Sequence, residues 1–171
     1  MLIFSTYFQS PLGLIHLNSD GKFLTGAYFQ DHENLKNQST TVFKEDLKIF
    51  QEAKTFLNDY FQKRNPHFAQ DKLKLDDNAF RNAVYAILFE TSFGELITYG
   101  QIAKHLLSIK HLKNMSPQAI GNAVSHNPIS IIIPCHRVIG VDGSLNGYSG
   151  GIFRKLELLK HEGHQESEFL L

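Results

Sequence analysis

A single cysteine, Cys135, stands in the 171 residues. One thiol can form neither an internal disulfide framework nor a multi-cysteine zinc site. Net charge is missing too, because 17 Lys and Arg balance 17 Asp and Glu. No bulk field therefore draws the chain to nucleic acid or to an anionic membrane. The longest apolar run, 129–134, is interrupted by Ser130 and is far too short to span a bilayer. Met1 leads into Leu-Ile-Phe-Ser-Thr-Tyr-Phe with no basic n-region and no small-residue cleavage site, so no membrane association and a cytoplasmic location are expected. Internal repeats are absent, and the nine histidines include no HExxH pair, so no metal site and no cofactor are expected. What is present is an ordinary globular balance, 42% apolar and 20% charged, on a length that suits one or two compact units.

Two composition regimes follow one another. Segments 2–8, 14–18 and 23–30 are β-branched or aromatic runs separated by Ser10-Pro11-Leu12-Gly13 and Ser19-Asp20-Gly21-Lys22. Asp-Gly between two such runs signals a hairpin. Segment 31–42 is polar and reads as a loop. Over 44–62 the period changes, with Leu47, Phe50, Ala53, Leu57, Tyr60 and Phe61 at helical spacing. From Asp76-Asp77 onward the pattern is helical again, with Phe80, Val84, Ile87 and Leu88 on one face up to Phe93-Gly94. Thr98 can cap a short helix through Leu107, and Ser116-Pro117 opens another over 117–126. Two short helices joined by a turn form a helix-turn-helix. A Gly-rich loop, 140–151, precedes a last helix ending near Gly163, and 165–171 reads as a frayed tail. The expected fold class is α/β (α+β): a small antiparallel sheet lobe with one helix, 1–75, followed by a mainly helical lobe, 76–171.

The cysteine lies in Ile133-Pro134-Cys135-His136-Arg137-Val138. A lone Cys after an apolar run is commonly an inert core residue. Here His136 and Arg137 raise the local positive potential, which favours thiolate, and Pro134 suits a rigid turn. On the residues alone both readings stay open. A Cys-His pair does not by itself define a hydrolase, because no orienting group or oxyanion hole is specified.

Taken together, Asn127-Pro128, Pro134-Cys135-His136-Arg137 and Gly147-Tyr148-Ser149-Gly150-Gly151 resemble the active-site signature of the O6-alkylguanine-DNA alkyltransferases. The resemblance runs from about Phe80 to Gly163 and includes Phe93-Gly94-Glu95 and Thr98-Tyr99-Gly100. It implies a ribonuclease H-like sheet in the first lobe and a DNA-binding, alkyl-accepting second lobe. It also implies a monomer acting on double-stranded DNA that contains O6-alkylguanine, through the minor groove with the nucleotide flipped out. By that resemblance Cys135 is the nucleophile of an irreversible, single-turnover transfer. His136 would be its base, acting through a water, and Glu162 would orient the imidazole. Asn127 would hold the turn that carries the cysteine. Tyr99 would contact the flipped guanine and donate a hydrogen bond as charge develops. Tyr148 and Ser149 would close the pocket, and Val138 would meet the base through its backbone. Some relatives carry a structural zinc built partly from cysteines in the first lobe; this chain has no cysteine there.

The second helix of the helix-turn-helix presents Ala119, Gly121, Asn122 and Ala123 on and near one face. Small side chains there would allow close approach to DNA, and equally to another helix. Where the family usually has an intercalating Arg, this chain has Gln118, so flipping with lower affinity or a different lesion preference is expected. Arg137 is counted among the DNA contacts. The segment 96–141 contains no Asp or Glu but has Lys104, Lys110, Lys113 and Arg137, which makes its local field favourable to phosphate. Two other classes of function remain to be tested: a non-enzymatic alkylated-base-binding protein that recruits repair factors, and a cysteine hydrolase.

Overall fold

The computed structural model describes residues 2–32, 41–110 and 116–171, without the side chains of 109 and 110. The turn at 111–115, the loop at 33–40 and the charges of Lys110 and Lys113 therefore lie outside the described residues. Two units emerge, one of 1–75 with 128–132, the other of 76–127 with 133–171. Segment 128–132, which sequence order alone assigns to the second lobe, folds with the first.

The first unit is a sheet in the order β3-β2-β1-β4, from β1 (Phe4–Ser10), β2 (Gly13–Ser19), β3 (Leu24–Phe29) and β4 (Val42–Phe43). The three leading strands form an antiparallel meander. At its first turn Ser10 Oγ donates to the Gly13 carbonyl at 2.6 Å and accepts from Leu12 N–H at 3.2 Å. At the second, Asp20 Oδ1 accepts from Lys22 and Phe23 N–H, the local bonding that makes Asp a turn residue. β4 pairs with β1 in parallel, so the sheet is mixed rather than purely antiparallel. Two residues inside a polar stretch carry no period by which to recognise them.

Helix α1 (Lys48–Phe61) starts four residues after the start of the 44–62 segment and buries Ile49, Phe50, Ala53, Leu57 and Tyr60. The outer edge of β3 is not open. Ala27 N–H donates to the Pro128 carbonyl and accepts from Ser130 N–H, both at 2.9 Å, while Lys74 N–H donates to Leu24. Pairing of this kind satisfies backbone groups that would otherwise be a template for association. Just beyond, Ile131 sits at φ 70°, a conformation costly for a β-branched residue.

The second unit packs three helices on one another: α2 (Ala79–Phe89), α3 (Tyr99–Lys110) and α4 (Pro117–Ser125). Asn78, not the preceding aspartates, caps α2 by accepting from Arg81 N–H at 3.0 Å. Thr98 caps α3, with Gln101 returning the bond to Thr98 N–H at 2.7 Å, a reciprocal capping box. Ser116 caps α4, with Pro117 in its first turn. Strand β5 (Ile97–Thr98) pairs in parallel with β6 (Val138–Ile139), and α5 (Ile152–His161) follows the Gly-rich loop.

The tail is docked rather than frayed. Phe169 is buried with Leu145, Leu156 and Leu159. Leu170 exchanges backbone bonds with Gly143 and Leu145. One well-placed apolar residue among acids anchors it, which average composition conceals. Among the described residues, no helix is long and apolar enough to cross a membrane.

Candidate active site

Cys135 is delivered by two local devices. Pro134 takes φ −80° and ψ 60°, and Cys135 N–H returns to the Ile133 carbonyl at 2.8 Å. That is an inverse γ-turn, which a fixed proline φ favours. Asn127, buried at the end of α4, then ties the turn down. Its Nδ2 donates to the Ile133 carbonyl and to Cys135 Sγ, each at 2.9 Å. The thiol itself is 1% exposed. Burial pushes it up to about 11, against the Asn127 amide, the Lys155 charge and the local backbone N–H groups. At neutral pH the sulfur is therefore a thiol, and reaction requires a base.

An imidazole is adjacent in the chain. His136 is fully buried and its Nε2 lies 2.7 Å from Glu162 Oε1. A carboxylate only accepts, so Nε2 carries hydrogen and Nδ1 is left as the basic nitrogen. Burial lowers the His136 value, and the Glu162 charge opposes that, so the resting ring is neutral and able to take a proton. Glu162 would be raised by burial on its own. The His136 ring and the Arg137 guanidinium outweigh that and hold it well below the usual carboxylate range.

Arg137 is not available to DNA here. It is 7% exposed, its Nε and Nη2 donate to Glu162 between 2.9 and 3.2 Å, and Nη1 donates to the Thr91 carbonyl. This corrects the expectation that it contacts DNA. Its charge is consumed by a bidentate carboxylate, the geometry that guanidinium suits best. It follows that the acid-free segment owes less to Arg137 than the charge count suggests, and Lys104 is the exposed cation described within it.

Lys155 was missed. It is fully buried on α5, with Nζ donating to the Val138 carbonyl and, at 3.4 Å, to the Asn146 carbonyl. Burial brings it down to about 8, against the opposing pull of the neighbouring Cys135 sulfur. A cation so placed favours the thiolate once it forms. Its signal was available: Lys155 lies three, four and seven residues before Leu158, Leu159 and Glu162, on the apolar stripe of α5. A lysine inside such a stripe asks for a reason.

The remaining residues frame a cavity of about 490 Å³ lined by Tyr99, Pro117, Gln118, Gly121, Asn122, Ser125, Asn146 and Gly147. Tyr99 Oη donates to the Asn146 carbonyl at 2.7 Å. Burial, then the Cys135 charge, pushes this phenol up to about 12, so it remains a donor. Gly147, at φ 82°, makes that approach possible, since a Cβ there would come within 2.7 Å of Tyr99 Oη. On α4, Ile120, Ala123 and Val124 face inward, while Gln118 and Asn122 are exposed and Ala119 and Gly121 are half-buried. Val138 and Tyr148 are buried, and Ser149 is exposed. Tyr148 packs where a Gly150 side chain would stand.

A lone buried thiol next to an imidazole held by a carboxylate, in the same unit as a cavity walled by the second of two short helices, is the equipment of a cysteine-based group-transfer protein. Family models assign it further. The model described as "6-O-methylguanine DNA methyltransferase, ribonuclease-like domain" matches residues 3–76, and "6-O-methylguanine DNA methyltransferase, DNA binding domain" matches 79–164. The chain belongs to the 6-O-methylguanine DNA methyltransferase family. It is 36% identical to the methylated-DNA–protein-cysteine methyltransferase of Haemophilus influenzae over 94% of this chain and 86% of that one. To the protein of the same name from Methanosarcina acetivorans it is 38% identical, over 91% and 96%. A crystal structure of Mycobacterium tuberculosis OGT in complex with DNA superposes with a TM-score of 0.79 at 32% identity, covering 99% of this chain and 95% of that one.

Proposed function

We propose that this protein repairs DNA by direct reversal, moving a methyl or other alkyl group from O6 of guanine onto Cys135. The observation that carries the assignment is the buried thiol held by Asn127 beside an imidazole held by Glu162. His136 takes the Cys135 proton through a water. The thiolate, steadied by Lys155, attacks the alkyl carbon from the side opposite O6; the S–C bond forms as the C–O6 bond breaks. The departing guanine regains a proton, with Tyr99 donating a hydrogen bond as its charge grows. A thioether is not readily hydrolysed, so each molecule reacts once.

The partner is double-stranded DNA; the tuberculosis protein likewise has a structure in complex with DNA. Helix α4, with Gln118, Ala119, Gly121 and Asn122, lies in the minor groove while Tyr148, Ser149 and Val138 receive the flipped base. The protein acts as a monomer in the cytoplasm. Incubation with a molar excess of O6-methylguanine duplex should restore guanine to a plateau of one equivalent per protein. Continued turnover would instead mark a hydrolase, and binding without repair would mark a lesion-recognition protein.

A further inference from the structure

Helix α5 ends in a Schellman motif: Gly163 N–H returns to Lys160 O and His164 N–H to Leu159 O, both at 3.1 Å, with Gly163 at φ 107°. This ending places Glu162 and His164 two residues apart, and both reach Gly94. Glu162 Oε2 accepts from Gly94 N–H at 2.9 Å. His164 Nε2 lies 3.0 Å from the Gly94 carbonyl, and its Nδ1 lies 3.1 Å from Glu168 Oε2. Both of those partners are acceptors, so the ring holds each of them by donating a hydrogen from the nitrogen that faces it. The groups facing His164 are the Glu168 carboxylate, the Gly94 carbonyl and the Phe169 ring, edge-on at 5.8 Å.

Gly94 is thus gripped from two sides. Gly94 takes φ 77°, which glycine adopts without strain, and a Cβ there would press on the Glu162 carbonyl at 3.0 Å, so the two hydrogen bonds, rather than backbone strain, fix its position beside Glu162. If Gly94 shifts, Glu162 loses one of the donors that fix its carboxylate, and the tautomer of His136 loses its support. We infer that His164, held by Glu168 of the docked tail, is a positioning residue for alkyl transfer, acting through Gly94 on the Glu162–His136 pair. Outer hydrogen-bond partners of a functional imidazole act in this way elsewhere. The inference rests on the proposed alkyl transfer.

The test compares His164→Ala, His164→Gln and Glu168→Gln with the unaltered protein. Three quantities are measured: single-turnover methyl transfer from O6-methylguanine duplex at saturating DNA, duplex affinity, and the NMR resonance of the His136 Nε2 proton. His164→Ala should slow transfer about tenfold, the size of one lost hydrogen bond, without changing affinity, and should move the His136 resonance upfield. His164→Gln keeps a donor for Gly94 and should recover to within about threefold of the unaltered rate. Glu168→Gln, on an exposed residue, should slow transfer less than His164→Ala and in the same direction. Unaltered rates in all three would overturn the inference, as would a slowed reaction with the His136 resonance unmoved. If the unaltered protein transfers nothing, the proposed function fails instead, and the resonance still reports whether His164 supports the pair.

Discussion

Glu162 meets the His136 ring at 2.7 Å across 26 residues of chain, with both side chains fully shielded from water. The same carboxylate is bound by Arg137, so one buried anion serves two buried neighbours. Removing one partner of a buried pair strands the others, which costs about 3–5 kcal/mol. Glu162→Gln should therefore lower the urea-unfolding free energy at neutral pH by about that amount and abolish efficient alkyl transfer. Loss of activity with intact stability would contradict the structural half of this account.

Acid should act through the same group. The Glu162 value lies below its ordinary 4.5 in the folded protein, so the folded state binds fewer protons in acid than the unfolded state does. The stability it contributes is present in full above that ordinary value and drains away as pH falls through the depressed one. Stability measured from neutral pH down to about pH 3 should fall more steeply for the unaltered protein than for Glu162→Gln. Parallel curves would show that the carboxylate is not the group responsible.

Lys155 gives a trend of the same sign in alkali. Its folded value, about 8, lies below its ordinary 10.5, so over that window the unfolded chain holds more protons and stability rises with pH. Cys135, raised from 9 to about 11, works against it at the upper end. Lys155→Met removes the first contribution and lets Cys135 rise further. The stability difference between unaltered protein and variant should grow in favour of the unaltered protein by up to about 3 kcal/mol from neutral pH to about pH 10. At neutral pH the variant should transfer methyl groups at least about tenfold more slowly, since its thiolate lacks the buried cation. A flat difference and an unchanged rate would remove Lys155 from the mechanism.

Gly147 is required where it stands. Gly147→Ala would set a Cβ within 2.7 Å of Tyr99 Oη at a backbone φ of 82°. The strain should cost about 1–2 kcal/mol of stability, and the displaced phenol should slow transfer further than that loss explains. Thermal unfolding and single-turnover kinetics on the same samples separate the two effects.

Gln118 is exposed at the mouth of the cavity and uncharged. Gln118→Arg should tighten binding to O6-methylguanine duplex about fivefold and steepen its salt dependence, because one more cation meets the phosphate field. Unchanged affinity and unchanged repair would show that this position does not govern flipping.

Periodic residues announced much of this structure. Phe50, Ala53, Leu57 and Tyr60 mark α1, and Ser116-Pro117 marks the start of α4, because helical spacing and caps are local properties. Asn127, Cys135, His136 and Glu162 were nameable from their motif, and the structure adds the distances that join them. Other features were not local. Whether Arg137 points to solvent or to Glu162 depends on where α5 ends, 25 residues later. The two residues of β4 owe their strand state to β1 alone. Phe169 anchors the tail only because Leu145, Leu156 and Leu159 form a floor for it.

The central claim is that Cys135 itself receives the alkyl group. Incubation with duplex containing a single O6-methylguanine, followed by digestion and mass spectrometry, addresses it directly. The account predicts one added methyl group per molecule, confined to the peptide carrying Cys135 and lost in Cys135→Ser. A methyl group on any other residue, or DNA restored to guanine while Cys135 stays unmodified, would contradict it.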